Sequence, residues 1–214
     1  MLRLLEDILR ILKESKEDLN SQVVDGFQII RKTFGKMREN WQSYVLTPIS
    51  IVLGKSDYQV YTHVLGVKIP RIEAETSKRI KEIIPWCETT CNPKYKARCL
   101  ERSTTSEIDS IIVKNSKVCF MEHARNLGGL CWDMVKLFKI SASQDATSCL
   151  FFTWYDLHDA MHREYADNLT NLGKMLFNDT IGENNWATVY LPYLIENQIL
   201  NLYDLEIVFK GELL

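Results

Sequence analysis

The densest potential chemistry lies in residues 86–101, WCETTCNPKYKARCLE, where three cysteines stand among Lys94, Lys96 and Arg98, with Arg102 just beyond. Cys87-x3-Cys91-x7-Cys99 is echoed by Cys119-x3-His123-x7-Cys131, displaced by 32 residues. Thiolates and an imidazole suit tetrahedral zinc, and these six side chains contain enough donors for one structural site. On a helix, Cys119 and His123 at i, i+4 would share a face and form half of it. The spacing of three departs from the spacing of two that lets backbone amides turn toward the sulfurs in zinc knuckles. Two other chemistries compete. The cysteines behave as small buried hydrophobes if they are free, or they pair as disulfides if the chain is secreted. Six cysteines admit 15 full pairings, so connectivity is not assignable from the sequence.

The same stretch has the residue types of a single-stranded nucleic-acid contact: Lys94, Lys96, Arg98 and Arg102 for phosphate, Tyr95 for stacking. Glu88 and Glu101 dilute that charge, and a solvated loop has the same composition. A second candidate centre is His158-Asp159-x-x-His162 in LHDAMHREY. On a helix the two imidazoles would share a face and hold a metal, with the intervening acid as general base of a hydrolase. Asp in place of Glu shortens that reach, Asn168 stands where a further histidine would be expected, and Glu183 is a candidate third ligand. No Gly-rich phosphate loop, G-x-S-x-G elbow or dinucleotide fingerprint is present.

Helical periodicity dominates the elements that must carry these groups. Apolar residues at Leu2, Leu5, Ile8 and Leu12, then Val23, Phe27, Ile30, Phe34, Met37, Trp41 and Tyr44, recur in steps of three and four, and Pro48 should end that helical segment. ISIVLGKSDYQVYTHVL reads as a hairpin with strands near 49–53 and 58–65. A helix is expected over 73–84, a strand at EIDSIIV, and a helix over 119–138 bent at Gly128-Gly129. Between 146 and 177 the stripe Leu150, Trp154, Leu157, Met161, Tyr165, Leu169, Leu172 and Leu176 predicts one long helix whose apolar face is core. A strand is expected at 205–209. The fold class expected is therefore mainly α (α+β), with long amphipathic helices and a minor β element. Residues 1–46 form an amphipathic helical segment and 47–214 a helical domain, or the two form one domain over 1–214.

The 214 residues are 46% hydrophobic and 25% charged, enough apolar material for a sizeable core and inconsistent with disorder. The net charge of −2 hides an asymmetry: from Asp145 onward eleven acids face three bases. Opposed charge and amphipathic helix surface lead to a non-enzymatic interaction protein, one that self-associates as a homo-oligomer or binds a protein partner. The alternatives are a zinc-stabilised nucleic-acid-binding protein using Cys87–Arg102 and a metal-dependent hydrolase on His158 and His162. No cofactor is required, zinc being the one candidate, and no uncharged run is long enough to span a membrane. With Met1 as the native start, the N-terminus has no signal-peptide core and the protein is cytoplasmic or nuclear. As a processed mature form it would be secreted, and the sequons at Asn168 and Asn178 would be available for glycosylation.

Overall fold

The computed structural model describes residues 3–34, 41–71, 104–124, 127–143, 148–210 and 212–214. Three helices lead. α1 (Leu4–Glu14) buries Leu4, Leu5, Ile8, Leu9, Ile11 and Leu12 on one face, with Glu6 and Asp7 in its first turn and Lys13 in its last, matching the helix dipole. Ser15 separates it from α2 (Lys16–Phe34), so the first periodic stretch divides into two helices. α3 (Trp41–Gly54) contains Pro48 in its interior. Pro48 does not end the helix, because Val45, Leu46, Ile49, Val52 and Leu53 are all buried around it. That packing offsets the roughly 3 kcal/mol that an interior proline costs. The strand expected near 49–53 is accordingly helix, whereas the turn at Lys55–Asp57 and the strand expected over 58–65 are both present, the latter inside the strand Gln59–Ile69.

A β-meander follows: β1 (Gln59–Ile69), β2 (Thr104–Lys114) and β3 (Lys117–Ala124), antiparallel neighbours in that order. The β2–β3 turn is Asn115-Ser116, both at positive φ, as the twist of a two-residue hairpin requires. α4 (Leu127–Ser143) crosses to β4 (Ser148–Asp156), parallel to β3, and α5 (Ala160–Phe177) crosses to β5 (Trp186–Glu196), parallel to β4. β6 (Ile199–Leu202) and β7 (Glu206–Phe209) both pair antiparallel with β5, and β8 (Glu212–Leu213) pairs with β7.

The described residues thus form one eight-stranded mixed sheet with five α-helices, which corrects the mainly helical expectation. The reason lies in the parallel centre of the sheet. KVCFMEHA and SCLFFTWYD are buried on both faces, so their residues do not alternate in polarity. Continuous apolar runs supply hits at three- and four-residue steps as readily as at two, and were readable as helix over 119–138 and 146–177. The strands at EIDSIIV and near 205–209 are present as β2 and β7. The helix expected over 73–84 lies outside the described residues.

Helices cover both faces. Met121, Leu150, Phe152, Trp154, Val189 and Leu191 share a core with α1, α2 and α3. The intervening Phe120, Cys149, Phe151 and Trp186 pack under α4 and α5 with Met134, Phe138, Leu169, Leu172 and Phe177. Of the expected core stripe, Trp154, Leu169, Leu172 and Leu176 are buried, whereas Leu157 is exposed in the turn after β4. Met161's side chain lies outside the described residues.

The approach of α5 to β5 depends on Gly173. A Cβ there would stand 2.5 Å from Trp186 Cζ3. The indole cannot easily retreat, since its Nε1–H donates to Asn178 Oδ1 at 2.8 Å and its ring stacks on Phe177. Gly173→Ala is expected to destabilise by about 1–3 kcal/mol through overpacking, despite alanine's better helix propensity. Urea unfolding midpoints check this, and an unchanged or raised midpoint would show that the helix can move outward at no cost.

Candidate functional site

Charged side chains converge beneath α4, where β1, β2 and β3 lie side by side. The β2–β3 register pairs Ser110 with Met121, and one step further it sets Asp109 opposite Glu122. On the other side, Thr62 pairs with Ser110 and Val64 with Ile108, so His63 lies opposite Asp109. A transverse row therefore runs His63, Asp109, Glu122 across three strands. Glu107, two residues before Asp109 on β2, adds a further carboxylate, and α4 lays Asp133 and Lys136 over the row.

Asp109 is buried, and its Oδ2 accepts the His123 backbone N–H at 2.8 Å where the β2–β3 ladder ends. Lys136, 5% exposed, stands 2.7 Å from Glu122 Oε1 and 3.3 Å from Asp133 Oδ1, and it donates to the Glu107 backbone carbonyl at 3.0 Å. Glu122 is 1% exposed. His63 Nδ1 and Glu107 Oε1 are 2.6 Å apart at the more exposed end of the row. Ligand atoms of His63, Glu107 and Asp109 all lie within 4.8 Å of one another.

Three carboxylates, those of Asp109, Glu122 and Asp133, crowd Lys136 in a low-dielectric place. Burial raises the Asp109 carboxyl above the ordinary range, against the pull of the His123 amide and Lys136. Burial and then Asp133's charge push Glu122 well up. Burial lifts Asp133 to about 7, opposed by Lys136. Burial alone would lower Lys136, but the surrounding Asp133 and Glu122 charges outweigh it and raise its ammonium. Burial raises all three carboxyls, so this place favours protons, or a further cation, beside Lys136. Hard oxygen donors of this kind suit Mg2+ or Mn2+, which characteristically bind through one or two carboxylates and let substrate phosphate complete the shell.

The earlier candidates are placed differently. Cys119 and His123 lie on a strand, not a helix: they share a face there, but at a rise of about 3.3 Å per residue they stand about 13 Å apart, too far to ligate one ion. Cys119 and Cys149 are free and buried, and burial pushes both thiols up, far from thiolate chemistry. His123 is also buried, its imidazole pushed down to about 4 by desolvation and stacked against Phe152. Among the described residues no disulfide and no zinc grouping of cysteines forms. Cys87, Cys91, Cys99, Lys94, Lys96, Arg98 and Arg102 lie outside the described residues, as does the side chain of Cys131, whose backbone belongs to α4. His158 sits exposed in the turn before α5, its N–H donating to Asp156 Oδ1. His162 is on α5 with its side chain outside the described residues, and Glu183 is exposed in the 3-10 turn before β5. The two histidines therefore do not both project from one helix.

Spacing arguments miss the converging acids, although the sequence holds a signal for them. Glu122 interrupts the apolar run VCFMEHA, and Asp133 and Lys136 stand at i, i+3 inside the apolar helix WDMVKLFKI. Charges in such positions need partners. Among the described residues no helix is long and apolar enough to cross a membrane. In comparison with known proteins, no family model, no curated protein and no solved structure matches this chain.

Proposed function

We propose that the protein is a divalent-metal-dependent phosphodiesterase acting on nucleic acid, with its centre at Asp109 and Glu122. The observation that supports this most is the buried cross-strand Asp109–Glu122 pair beneath α4, with the buried Lys136 of that helix 2.7 Å from Glu122. A bound Mg2+ or Mn2+ would polarise a phosphoryl oxygen and lower the pKa of a coordinated water. Asp109 and Glu122 would hold that ion, the first fixed by the His123 amide and the second by Lys136. Lys136 keeps Glu122 oriented and adds fixed positive charge beside the phosphoryl group, where negative charge grows during attack. Hydrolysis then forms a bond from water oxygen to phosphorus and breaks the bond to the leaving sugar oxygen, which takes up a proton.

Nucleic acid is favoured as substrate by the chain between β1 and β2. Both strands carry site residues, and the sequence joining them contains Lys94, Tyr95, Lys96, Arg98 and Arg102. The test is cleavage of end-labelled single- and double-stranded DNA and RNA by the purified full chain with MgCl2 or MnCl2. Metal-dependent cleavage that EDTA stops and Asp109→Asn removes is the expected result. Absence of cleavage of all four substrates with either metal would sink the reading.

A second reading, association with a protein partner or a second copy, rests on β1. It is an outer strand with no neighbour on its far side among the described residues, and Tyr61 and Leu65 are 53% and 75% exposed. Light scattering across a concentration series tests self-association, and a strict monomer at high concentration and low salt would remove that option.

A further inference from the structure

We infer that the centre takes a nitrogen donor from His63 and is therefore selective for Mn2+ over Mg2+. The inference rests on the metal-dependent reading above and concerns which ion that site holds. Three donors of mixed type come together at the open end of the row: the His63 imidazole, the Glu107 carboxylate and the Asp109 carboxylate, with ligand atoms within 4.8 Å of one another. Cis ligands on an octahedral ion of this size stand about 3 Å apart, so one ion fits between them after a small opening of the 2.6 Å His63–Glu107 contact. Asp109 belongs both to this trio and to the Asp109–Glu122 pair, so an ion in the trio would share that ligand with the centre.

The backbone aims the histidine. His63 has φ 53°, a left-handed conformation, just before a bulge where the register jumps from Val64↔Ile108 to Val67↔Ser106. The jump leaves one extra residue on β1, with Gly66 also at positive φ. An imidazole and Glu107 at 45% and 41% side-chain exposure remain reachable by an ion from solvent, while Asp109 forms the buried floor. Donor chemistry then decides the ion. Mg2+ prefers an all-oxygen shell and keeps several waters, whereas an imidazole nitrogen strengthens binding of Mn2+ and the later divalent ions.

The test uses full-length protein stripped with EDTA and titrated calorimetrically with MnCl2 and with MgCl2, wild type against His63→Asn and Asp109→Asn. Asparagine tolerates the left-handed backbone, so the His63 variant should fold. Mn2+ is expected to bind at least about tenfold more tightly than Mg2+. His63→Asn should erase that preference by weakening Mn2+ about 10–100-fold, the range that altering a ligand's support already produces. A spin-echo spectrum of bound Mn2+ should show nitrogen modulation in wild type that His63→Asn abolishes, a readout independent of catalysis. Unchanged Mn2+ affinity and unchanged nitrogen modulation in His63→Asn would overturn the inference. If Asp109→Asn still lost binding in that case, the metal-dependent reading would stand without it. Absence of Mn2+ and Mg2+ binding to wild type would overturn both.

Discussion

Glu122→Gln is expected to slow metal-dependent cleavage by at least about 100-fold, the scale of losing one preorganised electrostatic group, while leaving the protein as stable as wild type or more so. The two halves of this expectation come from one fact. Glu122 is buried with Asp109 and Asp133 close by, and its carboxyl is pushed well above the ordinary range first by burial and then by Asp133's charge. Keeping it ionised costs folding free energy. The amide has the same shape and no charge, so it relieves that cost, while Lys136 retains Asp133 at 3.3 Å and the Glu107 carbonyl at 3.0 Å. A residue present only to hold the fold would lose stability and activity together. One present to bind a cation should lose activity while stability holds or rises, the usual trade at functional sites. Initial cleavage rates in saturating Mn2+ and urea unfolding in EDTA separate the two cases. Near-normal cleavage by Glu122→Gln would remove Glu122 from the centre, and a large fall in stability would mark it as structural.

That site was poorly legible in the sequence for a reason tied to topology. His63, Asp109, Glu122 and Lys136 are spread over 73 positions, and their meeting depends on β1, β2 and β3 being neighbours and on α4 folding back over them. Reading 119–138 as helix placed Glu122 and Lys136 on a common rod and hid the cross-strand pair with Asp109. The histidine pair at 158 and 162 carries a local metal-ligand spacing, yet His158 falls in a turn. The N-terminal helices were readable, since α1 has one buried and one solvated face and therefore a clean period. β7 is readable because it is half-exposed and alternates, and β2 because its EIDSIIV run is rich in β-branched residues. β3 and β4 were not, because burial on both faces removes the alternation that distinguishes strand from helix. Pro48 shows the converse, a strong local signal overridden by the packing of α3 against α1 and α2.

Lys136→Met should be the most destabilising single substitution at the site, and its dependence on pH and metal reports how the cluster is balanced. Methionine can fill the lysine's volume, so the change chiefly deletes charge. Breaking a buried pair by removing one partner typically costs about 3–5 kcal/mol, because the remaining charges are left uncompensated. Here Glu122 and Asp133 lose their shared ammonium, and both already have carboxyls raised by burial, Asp133 to about 7. A group whose folded pKa exceeds its unfolded value favours folding below the unfolded pKa, and that advantage disappears as pH rises through the folded one. The variant's deficit should therefore be large at about pH 8, and it should shrink as pH falls through about 7 toward the ordinary carboxylate range near 4. Mn2+ should also reduce the deficit, because an ion that binds only the folded chain adds about 2.7 kcal/mol at 100 times its dissociation constant. Chemical unfolding of wild type and Lys136→Met at pH 8 and pH 5.5, in EDTA and in MnCl2, gives the four comparisons. A deficit equal at both pH values and indifferent to Mn2+ would mean that Lys136 supports α4 by packing alone. A deficit that both protons and Mn2+ repair would identify the cluster as one whose charge is completed from outside the chain, which is the property a cation centre requires.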